Sequence, residues 1–431
     1  MHLIEYPDRT EAKKWLSRPT LHDPESHRVA VAQMLRDIKA RGDAAVLDMA
    51  IQFDGHRPAR IEVSPHEAAS AARLLEADLK NAIHQAYLNI RHFHEVQHNS
   101  TPSVVETMPG VTCSRRSVAI ERVGLYIPGG TAPLFSTVLM LAIPAAIAGC
   151  REVILCTPPQ SDGHIHPTVL YAAQLCGVHR IFQVGGVQAI GAMAYGTESI
   201  PQVWKIFGPG NSWVTTAKQL VSLEGTGIDM PAGPSELAVI ADASARADFI
   251  AADLLSQAEH GSDSQVLLVS DSRALIEAVQ TALQQQLHSL PRRDFAAAAL
   301  ANSKALLVRD MQEGMDWINA YAPEHLIIQT QEPEKWAEKV VNAGSVFIGA
   351  YTPESAGDYA SGTNHTLPTN GYARVSGGVS VESFVRKITF QSITAEGMKV
   401  LGPVVLCMAR AEGLEAHARA VAVRLEGGNS N

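Results

Sequence analysis

The chain has 431 residues, of which 46% are hydrophobic and 18% charged, with a formal net charge of −9. This is globular composition with length for two or more cores, and acidic charge spread without blocks argues against a general binder of nucleic acid or acidic membranes. Five scattered cysteines (Cys113, Cys150, Cys156, Cys176 and Cys407) form no CxxC pair and read as reduced core residues of an intracellular protein. The opening "MHLIEYPDRT" lacks the apolar stretch of a signal peptide. The longest apolar run, 134–150, is short for a membrane span and carries Pro144, so a buried helix is expected. Together these point to a soluble, cytoplasmic protein with no nucleic-acid or membrane partner.

Residues 1–25 read as a small N-terminal segment. Residues 26–98 read as helices, the second opening on Ser64-Pro65, an N-cap followed by an N1 proline. From about 123, short apolar runs ("VGLYIP", "EVILCTP", "RIFQVGG", "WKIFGPG") alternate with helical pieces. A second set follows: "ELAVIAD", "SQVLLVSD", "KALLVRD", "HLIIQT" and "GSVFIGA". Such alternation predicts parallel sheets with helices on both faces, and two sets predict two doubly wound, incomplete Rossmann-like α/β domains. The expected grouping is 26–125 with 235–380 as the first domain and 126–234 as the second. The Gly-rich 361–380 reads as a long loop, and 381–431 as a helical C-terminal domain.

The most literal motif is "HEVQH", His94 to His98, in which two His at i, i+4 on a helix hold zinc. "NSTP" stops the helix at once, and no third ligand follows at a peptidase spacing, so a zinc peptidase is the unfavoured reading. The "HIH" of 164–166 sits in a Gly-Asp turn and reads as surface. No GxGxxG follows any strand. Three Gly-rich strand-to-helix corners do occur, "YIPGGTAP" (126–133), "VGGVQAIG" (184–191) and "FGPGNSWV" (207–214). Corners at the carboxyl ends of parallel strands bind ligands, and helix N-termini there receive phosphate.

In "LLSQAEHG", Gln257 and His260 stand one turn apart at a helix end. Alone, this reads most simply as a polar helix terminus with a His on the dipole. "YAPEHL" sets Glu324 beside His325 where a strand begins; neighbours in a regular strand face opposite ways, so both reach one pocket only if the turn after Pro323 is irregular. "TPESAGDYASGTNH" (352–365) carries Asp358 and His365, and "AEGLEAH" carries Glu412 and His417, with Gly413 suggesting a joint between two helices across which they converge.

"DMPAGPSE", "LLSQAEHG", "YAPEHL", "ESAGDYASGTNH" and "AEGLEAH" occur in this order, and together they closely resemble the histidinol dehydrogenase family over nearly the whole chain. The resemblance implies a homodimeric, NAD- and zinc-dependent enzyme of histidine biosynthesis. It takes L-histidinol through L-histidinaldehyde to L-histidine, reducing two NAD and holding one zinc per subunit. It places the zinc ligands on Gln257, His260, Asp358 and His417 and the catalytic pair on Glu324 and His325. Substrate contacts fall on Ser235, His365 and Glu412, besides the ligands and His325; NAD contacts fall on Tyr126, Gln188 and Asn211, one in each corner. It also implies that the tail, with Glu412 and His417, completes the partner subunit's site. A family member turned to another amino alcohol stays open. A cysteine trapping the aldehyde is the rival mechanism, but Cys150 and Cys156 flank an apolar strand and read as core.

Overall fold

The computed structural model describes residues 1–18, 24–55, 57–98, 101–129, 132–230 and 233–427. They fall into two compact units, Met1–Gln97 with Ile120–Phe384 and His98–Ala119 with Val385–Asn431.

The first unit holds two parallel sheets. The six-stranded one has the order β1 (His2–Glu5), β11 (Lys304–Leu307), β10 (Gln265–Ser270), β9 (Glu236–Ala241), β12 (His325–Gln329), β13 (Ser345–Ile348). Strands "ELAVIA" and "QVLLVS" are buried throughout, as strands covered on both faces must be. Alternate side chains divide between two cores: Leu237, Val239 and Ala241 pack on one face, Ala238 and Ile240 on the other. The five-stranded sheet runs β6 (Arg180–Gln183), β5 (Glu152–Thr157), β4 (Arg122–Tyr126), β7 (Lys205–Phe207), β8 (Gly227–Ile228). The nine strand-like runs of the sequence all appear, and the apolar run 134–150 is the buried helix Phe135–Ala148, closed by Gly149 at φ 84°. No helix among the described residues is long and apolar enough to cross a membrane.

The expected grouping differs from the structure in four places. The N-terminal segment supplies β1, an edge strand of the six-stranded sheet. The helices of 24–49 share a core with the five-stranded sheet, through Val31, Leu35, Ile38 and Val46 against Ile190 and Met193, rather than with the six-stranded one. The helical run from Ser64 is broken: Ser64 caps Pro65–Ala71, Leu75 is extended, and a new helix spans Ala77–Glu95. Finally, the C-terminal segment is not helical from its start. In the second unit β14 (Val385–Ile393) pairs antiparallel with β3 (Val111–Ala119), which pairs with β2 (Ser103–Met108). The tail itself is helical, Ala395–Ala411 and Glu415–Glu426, with Gly413 between them at φ 74°.

Candidate active site

The six-stranded sheet offers its amino edge. Helix Met311–Tyr321 ends with Ala322 in the left-handed region at φ 54°, ψ 66°, its N–H closing on the Ile318 carbonyl. The irregularity expected after Pro323 lies just before it, at Ala322. Strand β12 begins one residue late for Glu324, and the two side chains reach one pocket instead of opposite faces. The Glu236 N–H donates to Glu324 Oε2 at 2.8 Å. His325 Nδ1 lies 3.2 Å from the Glu236 carbonyl. A carbonyl only accepts, so Nδ1 carries the hydrogen and Nε2 is the proton-handling atom. Both side chains are buried, with Glu324 Oε2 3.7 Å from His325 Nδ1. Burial pushes the Glu324 carboxyl up to about 8. Burial opposes charge on His325 as well, but Glu324 and Asp358 outweigh it and raise the imidazole. Such a pair shares its proton rather than titrating singly.

Around the pair lie mixed oxygen and nitrogen donors. Gln257 closes helix Ala247–Ala258, and His260 follows one turn on, its N–H 3.3 Å from the Gln257 carbonyl. Asp358 comes from helix Glu354–Tyr359. Gln257 Oε1 and Asp358 Oδ1 are buried without a hydrogen-bond partner. Two orphaned oxygens beside an imidazole suit a divalent cation such as zinc. Among the described residues, His260, Glu354 and Asp358 also form a donor cluster, with ligand atoms within 4.8 Å of one another. Glu354 was not foreseen, although its i, i+4 spacing from Asp358 puts both carboxyls on one helix face; the Ser256 hydroxyl donates to it at 2.9 Å. His365 is fixed at both nitrogens: Nδ1 lies 2.8 Å from the Asp358 carbonyl and Nε2 3.1 Å from the Thr137 hydroxyl. Burial lowers its pKa, so it stands neutral. Ser235 lines the same cavity of about 300 Å³ with Gln257, Glu324, Asp358 and His365. Glu412 and His417 belong to the second unit, exposed at its helix joint.

The five-stranded sheet offers its carboxyl edge. Its order reverses between β4 and β7, the switch point where open α/β sheets bind ligands. There a cavity of about 620 Å³ is lined by Tyr126, Gln188, Asn211, Asp54 and Trp213. The Gly186 N–H donates to the Tyr126 hydroxyl at 3.1 Å. Asn211 Oδ1 caps helix Ser212–Leu223, accepting from the Trp213 and Val214 N–H groups, which leaves its amide nitrogen for a ligand. Asn211 also lines the catalytic cavity, so it stands where the two meet. Gly208, at φ 131°, is pressed so close to the Tyr126 carbonyl that no Cβ fits. A buried Lys218–Asp229 ion pair holds this corner: Lys218 donates to the Gly208 carbonyl and Asp229 accepts its N–H, each at 2.7 Å. Asp54, which receives the Gln188 amide at 3.3 Å, was missed because it ends a helical segment far from any corner in sequence.

The remaining motifs fall away from both cavities. Helix Ala77–Glu95 ends before His98, and buried His94 uses Nδ1 on the Ile90 carbonyl, 2.8 Å away, so HEVQH is not a two-His helix face. His164 is exposed, whereas His166 caps helix Pro167–Leu175 through Nδ1.

A nucleotide-sized cavity at a switch point, meeting a pocket with metal-type donors and a buried acid–imidazole pair, defines the class as an oxidoreductase on two doubly wound sheets. Comparison with known proteins places it more narrowly. The sequence model of histidinol dehydrogenase matches residues 17–425. Histidinol dehydrogenase of Bacteroides thetaiotaomicron is 58% identical over 99% of both chains, and that of Xanthomonas campestris pv. campestris 53% identical over 97% of this chain and 96% of its own. The crystal structure of histidinol dehydrogenase from Elizabethkingia anophelis superposes with a TM-score of 0.95 at 47% identity, covering 100% of this chain and 99% of that one. The chain belongs to the histidinol dehydrogenase family.

Proposed function

We propose that the protein oxidises L-histidinol to L-histidine through L-histidinaldehyde, reducing two NAD per turnover. The observation that carries this reading is the single pocket in which Glu324, His325 and the Gln257, His260 and Asp358 donors lie together, with Asn211 linking it to the nucleotide cavity.

NAD would supply the hydride acceptor, and Gln257, His260, Asp358 and His417 would hold a zinc ion that would supply a fixed positive charge beside the substrate. In its neutral form, with Nδ1–H on the Glu236 carbonyl, His325 takes the alcohol proton at Nε2 as hydride leaves the carbinol carbon. The aldehyde is then hydrated, because hydride can leave only from a tetrahedral carbon. Glu324, whose raised carboxyl suits a base near neutrality, deprotonates the attacking water, and His325 acts again in the second oxidation. His365, held neutral, and Ser235 line the substrate's path, and Tyr126, Gln188 and Asn211 hold the nucleotide. Glu412 accepts a hydrogen bond from the substrate's amine.

Glu412 and His417 act in the partner subunit's pocket of a homodimer, and the protein works in the cytoplasm, where NAD is supplied. The Glu324→Gln protein tests the assignment. Offered histidinaldehyde it should lose oxidation by about 100-fold or more while keeping its zinc; near-normal aldehyde oxidation would overturn the role of Glu324.

A further inference from the structure

Arg18 is part of none of the motifs above, yet its guanidinium reaches the turn that carries the acid–imidazole pair. Nε and Nη2 donate to the two carboxylate oxygens of Glu236 at 2.5 and 2.8 Å. Nη2 also donates to the carbonyls of Tyr321 at 2.9 Å and Ala322 at 3.4 Å. The guanidinium lies over the Tyr321 ring, 4.1 Å from its centroid. Glu236 and Tyr321 are buried, and the Asn370 N–H completes the Glu236 carboxylate at 2.7 Å.

Each partner of Arg18 bears directly on Glu324 or His325. Glu236 is the residue whose N–H holds Glu324 and whose carbonyl orients His325. Ala322 holds a left-handed conformation that a side-chain-bearing residue disfavours. It persists only where surrounding contacts fix it, and Arg18 supplies such contacts by gripping the carbonyls of the two peptides that flank Ala322. A planar fork grips a carboxylate through two fixed parallel bonds while reaching carbonyls; an ammonium, a compact point charge, lacks that bidentate geometry.

We propose that Arg18 is a positioning residue for the catalytic pair, acting through Glu236 and the Ala322 turn. The inference rests on the assignment of Glu324 and His325 as that pair. It makes the N-terminal segment part of the catalytic scaffold, although none of its described residues lines either cavity.

The test is the full-length, zinc-loaded Arg18→Lys protein, alone and combined with Ala322→Gly. Arg18→Lys should lower kcat for both oxidations between about 10- and 100-fold, with the KM for NAD and the zinc affinity in chelator competition unchanged. Glycine adopts the left-handed region freely, so adding Ala322→Gly should recover most of the lost kcat. An unchanged kcat, with or without a lower Tm, overturns the proposal, and so does a loss that Ala322→Gly fails to repair. If Arg18→Lys does not fold, the isosteric Glu236→Gln protein, with and without Ala322→Gly, is read by the same criteria. A wild-type protein silent on L-histidinol refutes the functional reading itself; an active wild type matched by Arg18→Lys refutes only the positioning role.

Discussion

His325 Nε2 and Asp358 Oδ1 face each other 3.5 Å apart, both buried and neither engaged in a hydrogen bond. Nδ1 of the imidazole is already committed to the Glu236 carbonyl, so Nε2 is the only ring atom able to exchange a proton with substrate. Asp358 in turn offers a ligand atom within 4.8 Å of that of His260, in the cavity that Gln257 also lines. The acid–base group and the metal-type donors are thus neighbours, and one bound alcohol can touch both.

Asp358→Asn should therefore weaken zinc binding by at least about tenfold, read by competition with a chromophoric chelator. His98→Ala should bind zinc as the wild type does, since His98 lies beyond the helix that carries His94. Loss of zinc from His98→Ala, with Asp358→Asn unaffected, would transfer the metal to HEVQH.

Asp253 sits on the same helix, one turn before Gln257, buried and receiving the Gln329 amide at 3.0 Å. Burial pushes its carboxyl up to about 7, well above the usual carboxylate range. A group raised on folding favours the native state below its unfolded pKa, and that contribution is lost as pH rises through the folded one. Stability tied to Asp253 is therefore complete below about pH 4, falls between about pH 4 and 7, and is gone above. Asp253→Asn, which keeps a partner for Gln329, should match the wild type in Tm near pH 4 and exceed it at pH 8. Equal Tm values at both pH values would show that Asp253 does not titrate this way.

A thiol route for the aldehyde predicts an activated cysteine near the site. Burial instead pushes the Cys150 thiol up to about 12 and raises that of Cys156 as well, which disfavours a thiolate. Cys150→Ser and Cys156→Ser should keep kcat within about threefold once corrected for folded protein. A hundredfold loss in well-folded protein would restore covalent catalysis.

If the tail serves the partner subunit, the Glu324→Gln and His417→Asn proteins each fail to oxidise histidinaldehyde alone but carry complementary intact halves. After subunit exchange, a mixed dimer has one site with both residues, and the mixture should recover about a quarter of wild-type activity at equal amounts, since half the dimers are mixed and half their sites intact. No recovery after demonstrated exchange would mean that each chain builds its own site.

The strands were legible because buried parallel strands are continuous apolar runs, which "ELAVIA" and "QVLLVS" display outright. The antiparallel β2–β3–β14 sheet was not: Val385 pairs with Ala119 across most of the chain, and both strands carry polar and charged residues with little apolar signal. The site divides similarly. Gln257, His260, Glu324, His325 and Asp358 stand inside long motifs, as does Glu354, whereas Thr137, Asp54 and Arg18 enter only through tertiary contact. Glu354, though unforeseen, had a local signal, its one-turn spacing from Asp358. Arg18 had none, because what it does depends on a turn at Ala322 that lies some three hundred residues downstream.

The most direct test of the account is NADH formed from limiting L-histidinol with excess NAD, with and without a chelator. Two NADH per histidinol, lost with the chelator and restored by zinc, is the predicted result, because one pocket then performs both oxidations at a metal-held substrate. One NADH per histidinol would stop the reaction at the aldehyde and contradict the role of Glu324. No NADH from folded, zinc-loaded protein would contradict L-histidinol as the substrate.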